Sequence, residues 1–230
     1  MQRREILCQP LTDGSAWTRD ELAVDSSWIY DLGEALAVDS MRALDDVRGL
    51  GLRHTDVSAR NFPLGVSDEL FCAVHDQLEH GRGIAIVRGV PIDGLPTSDC
   101  ELLLAGIASH LGTSVVQDVK GTHIDHVVDR GLSYESIAVR GYMTNAKLTP
   151  HCDSSDVTTL LCLRRAKAGG VNTVSSSMAI YNEILANFPE LLEPLYRGFY
   201  YNVRGQGPPG RFRDVTSHRA RIDDDEPRPT

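Results

Sequence analysis

The sequence predicts a mainly β core with flanking helices, an α+β chain folded as a sandwich or barrel, not as a doubly wound sheet. Three observations carry this. Helical periodicity is concentrated in the first half, the second half breaks into short β-rich apolar runs, and glycine and proline punctuate the boundaries. Peripheral helices around a strand-built core follow from that order.

Between Trp17 and Arg53, the residues Ile29, Leu32, Leu36, Met41 and Leu44 recur at roughly helical spacing and predict an N-terminal helical lead-in. Ser67 reads as the N-cap of a second helix with the stripe Leu70, Phe71, Val74 and Leu78, stopped by Gly81. Gly83 to Gly89 is a β-branched run bounded by glycines, the mark of a buried strand. Ser98-Asp99-Cys100-Glu101 has the S-x-x-E pattern of a capping box and opens a helix through Leu102 to Leu111, closed by Gly112.

Strands are predicted at 114–119, 123–128, 136–143, 157–163, 171–175 and 199–203. A helix from Met178 to Asn187, capped by the serines before it, interrupts them, and Pro189 initiates a further turn to Tyr196. After Arg204 a Gly/Pro loop leads to a charged tail at 219–230, expected to be frayed.

The chain has 230 residues, 41% apolar and 24% charged, which suits a globular protein and excludes a disordered or disulfide-dense one. With 23 basic and 32 acidic residues the net charge is −9, so nucleic acid is not an expected partner. The longest apolar run, Leu102 to Ala108, falls far short of the roughly 20 residues that cross a bilayer, so no membrane partner is expected. Met1-Gln2-Arg3-Arg4-Glu5 does not read as a secretory signal, and five cysteines without Cys-x-x-Cys spacing suit reduced thiols. A cytoplasmic protein is expected.

Residues two apart on a strand project from one face, so His-x-Asp can offer an imidazole and a carboxylate to one metal. The pattern occurs at His54-Thr55-Asp56, His123-Ile124-Asp125 and His151-Cys152-Asp153. His54 reads as a solvated loop histidine, and His123 as part of a half-exposed edge strand. His151 differs in its surroundings: the predicted strand 157–163 follows, and Gly169-Gly170 supplies a turn.

Around this pair the chain resembles the TauD/TfdA-like family of Fe(II)- and 2-oxoglutarate-dependent dioxygenases (clavaminate synthase-like). The resemblance is carried by Leu148-Thr149-Pro150-His151-Cys152-Asp153, then Leu160 to Arg164, Ala168-Gly169-Gly170-Val171-Asn172-Thr173, and Ser175 through Leu185. It implies a double-stranded β-helix, or jelly roll, spanning one domain at 1–218, with His151 and Asp153 as two of three ligands of a facial triad. It further implies that Asn172 or Thr173 lies near the co-substrate carboxylate. Family members carry a second metal histidine and an arginine clamp downstream. Here the only later histidine is His218, 65 residues after Asp153, with Arg228 ten beyond, and neither sits in a strand-like stretch. The usual C-terminal portion is therefore expected to be lacking, with an unpaired sheet edge and a homodimer through that edge as consequences.

Softer candidates complete the reading. Cys152 is expected to point away from the metal as a small buried hydrophobe. Arg204, Arg211 and Arg213 flank a loop able to close over an anionic substrate, Asn145 and Lys147 share one side of the entering strand, and Tyr142, Tyr200 and Tyr201 are sheet aromatics. The function implied is hydroxylation of a small-molecule substrate with Fe(II) and 2-oxoglutarate. The alternative, from the missing distal His and Arg, is a catalytically silent jelly-roll binding or assembly protein.

Overall fold

The computed structural model describes residues 6–65, 68–118, 120–133, 139–153, 155–198, 201–202 and 215–216. Thr18 starts the first helix, α1 (Arg19–Val24): its hydroxyl accepts from the Glu21 N–H, and the Glu21 carboxylate accepts from the Thr18 N–H at 2.7 Å. This reciprocal capping box satisfies two amides that a helix start leaves orphaned.

Ile29 and Leu32, expected within a helical lead-in, instead belong to an extended segment. Strand β1 (Ile29–Asp31) pairs in parallel with β2 (Ile86–Arg88), setting Ile29 beside Ile86 and Asp31 beside Arg88. The reason is Gly33, whose φ of 75° lies in the left-handed region and separates this strand from helix α2 (Glu34–Gly49). Parallel strands need a long crossover, which α2 and helix α3 (Asp68–Glu79) provide.

The core sits between α2 and helix α4 (Thr97–Ala108). Leu36, Ala43, Leu44 and Val47 recur at three- and four-residue steps and meet Leu102, Leu103 and Ile107, with Phe62, Leu64 and Phe71 closing the space. Ser40 lies in this stripe, fully buried, and donates its hydroxyl to the Leu36 carbonyl at 2.7 Å. Gly106 on α4 lies against the Phe62 ring so closely that a Cβ there would come within 3.0 Å of three ring carbons.

The second predicted helix forms as α3 with Phe71 and Val74 buried; its expected cap, Ser67, lies outside the described residues. The Ser98–Glu101 capping box does not form. Helix α4 starts two residues earlier, at Thr97, from Pro96, whose φ of −66° and ψ of 157° set the chain for entry without a side-chain cap. Glu101 is thereby free to turn its carboxylate elsewhere.

From 111 to 176 no described residue lies in a strand, which corrects the strands expected at 114–119, 123–128, 157–163 and 171–175. Of 136–143, the described part holds a 3-10 turn at Gly141–Met143. Tyr142 is therefore a turn residue and not a sheet aromatic. Val116, Val127, Leu160 and Val171 stay 51% or more exposed together with Val128. β-branched residues favour strands only when a neighbour covers them, and no described segment does so here.

The helix expected from Met178 to Asn187 forms. Ser176 caps α5 (Ser177–Asn187) by accepting from the Ala179 N–H at 2.9 Å, and donates to the Ser15 carbonyl at 2.6 Å. Asn182 grips Leu11 at both backbone groups, 2.8 and 2.7 Å, and Tyr181 donates to the Leu7 carbonyl at 2.7 Å. Residues 7–15 are thus strapped to α5 by side chain to backbone bonds. Pro189–Leu191 then forms a 3-10 turn leading into α6 (Leu192–Arg197). Finally β3 (Tyr201–Asn202) pairs antiparallel with β4 (Val215–Thr216), so the end of the run expected at 199–203 is extended. The tail at 219–230 lies outside the described residues.

Candidate metal centre

The segment entering the centre is held by its own turns. Met143 closes the 3-10 turn with its N–H on the Arg140 carbonyl and receives the Arg130 N–H on its own carbonyl at 2.9 Å. The Thr144 hydroxyl donates to the Gly141 carbonyl at 2.8 Å and accepts from the Ala146 N–H. Beyond it, Asn145 and Lys147 are exposed.

His151 and Asp153 both leave this segment into solvent, each side chain 55% exposed, with His151 Nε2 4.0 Å from Asp153 Oδ1. His151 Nδ1 lies 2.7 Å from the Thr149 carbonyl. A carbonyl only accepts, so Nδ1 carries the proton, and in the neutral ring Nε2 is left with a free lone pair facing the carboxylate. That tautomer is the one in which imidazoles bind metals, with a backbone carbonyl as outer support. Asp153 is supported likewise: its Oδ2 accepts from the Thr158 hydroxyl at 3.0 Å, which keeps Oδ1 toward the histidine.

Does this pair fit a first-row ion? Donors at about 2.1 Å on adjacent octahedral positions lie roughly 3 Å apart. The observed 4.0 Å is wider by about 1 Å, so the two side chains, each 55% exposed, would have to move together to share an ion. The donor chemistry fits two of three positions. Among the described residues no third His, Cys, Asp or Glu joins them. His218, Arg228, Arg204, Arg211, Arg213 and Tyr200 lie outside the described residues.

Gly169 and Gly170 both take positive φ, 74° and 70°, but no turn forms there and no strand follows directly. Asn172 and Thr173 follow them, both exposed, and no hydrogen bond joins either to His151 or Asp153. Cys152 is exposed, which corrects the buried position expected from strand alternation: the segment is not a strand, so the alternation has no buried side to offer. All five cysteines are free thiols.

Two clusters were not expected from sequence. The Glu101 carboxylate lies 2.7 Å from His126 Nε2 and 3.6 Å from His54 Nδ1, so two histidines outside the centre face one acid. Beside them, Asp125 accepts from Arg130 at 3.1 Å and from the Tyr142 hydroxyl. Burial, then the Asp125 hydrogen bond, push the Tyr142 hydroxyl up to about 12. The His126–Glu101 bond ties this loop to α4, and the Asp125 bonds join Arg130 and Tyr142 to it. His123 Nδ1 lies 2.9 Å from the Ser114 hydroxyl, in a loop and not at a strand edge.

An imidazole with a free Nε2 beside a carboxylate two residues on is the donor pair of mononuclear non-haem iron proteins. Comparison with known proteins narrows the class. Residues 46–229 match the family model described as taurine catabolism dioxygenase TauD, TfdA family. FR-33289 synthase of Streptomyces rubellomurinus is 38% identical over 207 residues, 90% of this chain and 61% of the relative. The taurine hydroxylase-like protein SAT17 of Stachybotrys chartarum is 26% identical over 196 residues, 82% of this chain and 51% of the relative. The chain belongs to the TauD/TfdA family, whose members generally use Fe(II) and 2-oxoglutarate and share a jelly-roll fold. It spans 61% and 51% of the length of the two curated relatives it matches. Among the described residues, no helix is long and apolar enough to cross a membrane.

Proposed function

We propose that this chain serves an Fe(II)- and 2-oxoglutarate-dependent oxygenase that hydroxylates a small-molecule substrate, with His151 and Asp153 as metal ligands within a jelly-roll frame. The observation that carries the reading is the Thr149 carbonyl on His151 Nδ1, which turns Nε2 toward Asp153. When bound, Fe(II) and 2-oxoglutarate supply the oxidising power. The chain's own share is to hold the metal, place the co-substrate and position the substrate carbon.

Thr158 fixes one oxygen of Asp153 and leaves the other to bind. Asn172 and Thr173, just past the Gly169-Gly170 pair, offer an amide and a hydroxyl to the co-substrate carboxylate in this reading. The family suggests a small-molecule substrate. Self-association through an unpaired strand edge is part of the proposal, and a monomeric mass by light scattering would remove it.

The test is anaerobic addition of Fe(II) and 2-oxoglutarate to the purified chain. A visible charge-transfer band with one iron per chain is expected, and both are lost in His151→Ala. No band, no bound iron and no succinate release in air would overturn the reading and leave a catalytically silent jelly-roll protein.

A further inference from the structure

Two indoles and one guanidinium meet where α1 faces the start of α5. A groove of about 480 Å³ opens there, lined by Trp17, Trp28, Leu22, Ala179 and Ile180, with Arg19 beside them. Both indole N–H groups are already committed: Trp17 Nε1 donates to the Arg82 carbonyl and Trp28 Nε1 to the Asp25 carbonyl, each at 2.7 Å. Trp17, 5% exposed, thus forms the floor of the groove, and the half-buried Trp28 ring offers it apolar surface. The Ser176 hydroxyl, also on the lining, is spent on Ser15 and Ala179.

Charge separates the two arginines of this corner. Arg82 is paired with Asp25 at 2.8 Å, whereas exposed Arg19 has no ion-pair or hydrogen-bond partner among the described residues. The Arg19 guanidinium at the side of the groove is thus open to a charged ligand. Small-molecule sites take this form, a mostly apolar lining with a few polar groups that fix orientation. A planar guanidinium suits an acidic head group.

We propose that the groove binds a small amphiphilic anion, its aromatic or branched apolar body against Trp17 and Trp28 and its acidic head on Arg19. The site needs no metal and goes beyond the oxygenase reading. The chain has two tryptophans and both line the groove, so energy transfer from tryptophan reports on this place.

The full chain, without added metal, is titrated with anilinonaphthalene sulfonate and with neutral phenylnaphthylamine, which keeps the ring system and lacks the acid. Saturable transfer from tryptophan at one molecule per chain is expected for both. Arg19→Gln should weaken the sulfonate about threefold to fivefold, the scale of one exposed ion pair, and leave the neutral compound unchanged. Ile180→Glu, at a position 49% exposed, should weaken both. His151→Ala should change neither, which separates this site from the metal centre. The proposal is overturned if Arg19→Gln spares the sulfonate or weakens both equally, or if Ile180→Glu has no effect. It is equally overturned if transfer is absent, or is lost as protein concentration rises, since a second copy then fills the groove.

Discussion

Gly106→Ala sets two effects of opposite sign against each other. Alanine is the better helix former, by about 1 kcal/mol in a helix interior. At this position, though, the new Cβ would lie within 3.0 Å of the Cγ, Cδ1 and Cδ2 atoms of Phe62, a spacing real Cβ atoms essentially never show. Phe62 is 0% exposed, so its ring cannot swing into solvent, and its neighbours Leu44, Leu64 and Leu103 are equally buried. Overpacking of this kind costs up to about 3 kcal/mol. The net expectation is a loss of about 2 kcal/mol, read as a lower urea midpoint at constant slope and a fall in Tm of about 4–8 °C. Phe62→Leu in the same chain should recover part of the loss, with a favourable coupling above about 0.5 kcal/mol. A Gly106→Ala chain as stable as the parent, or more so, would refute the packing argument and leave helix propensity as the dominant effect.

Two pH responses follow from the charged groups. The Ser27 N–H, then the Arg82 guanidinium and the Ser27 hydroxyl, hold Asp25 down at about 2. An unfolded Asp titrates near 3.9, so its stabilisation is present above about pH 4 and lost as pH falls toward 2; Asp25→Asn should flatten thermal stability over that window. Tyr142 has the opposite shift, up to about 12, so its contribution is present below about pH 10 and lost as pH rises from 10 to 12. Alkaline titration of tyrosinate absorbance should show one late step that Tyr142→Phe removes. If that step survives in the variant, the Asp125 bond is not its cause.

The longer helices were largely legible in the sequence. Helices α3, α4 and α5 lie close to their expected spans, and Ser176 caps as its sequence position suggested, because caps and apolar stripes act within a few residues. Ile29 was misread since a three-residue step fits a helical turn as well as a strand running into a bend, and Gly33 decided between them. Glu101 carried a capping pattern but serves His126 and His54 instead, partners that approach only through folding. Thr18 and Glu21 formed the real capping box, and their T-x-x-E spacing was there to be read.

Sequence by itself determined what depends on near neighbours: helix starts, the −9 charge, the His151-Cys152-Asp153 spacing and the family it signals. Tertiary structure alone decided the exposure of Cys152, the strap of residues 7–15 on α5, the indole-lined groove, and which β-rich runs became strands. A helix closes its hydrogen bonds within itself, while a strand takes them from a partner remote in the chain, so local pattern fixes the one and only a neighbour supplied by folding fixes the other.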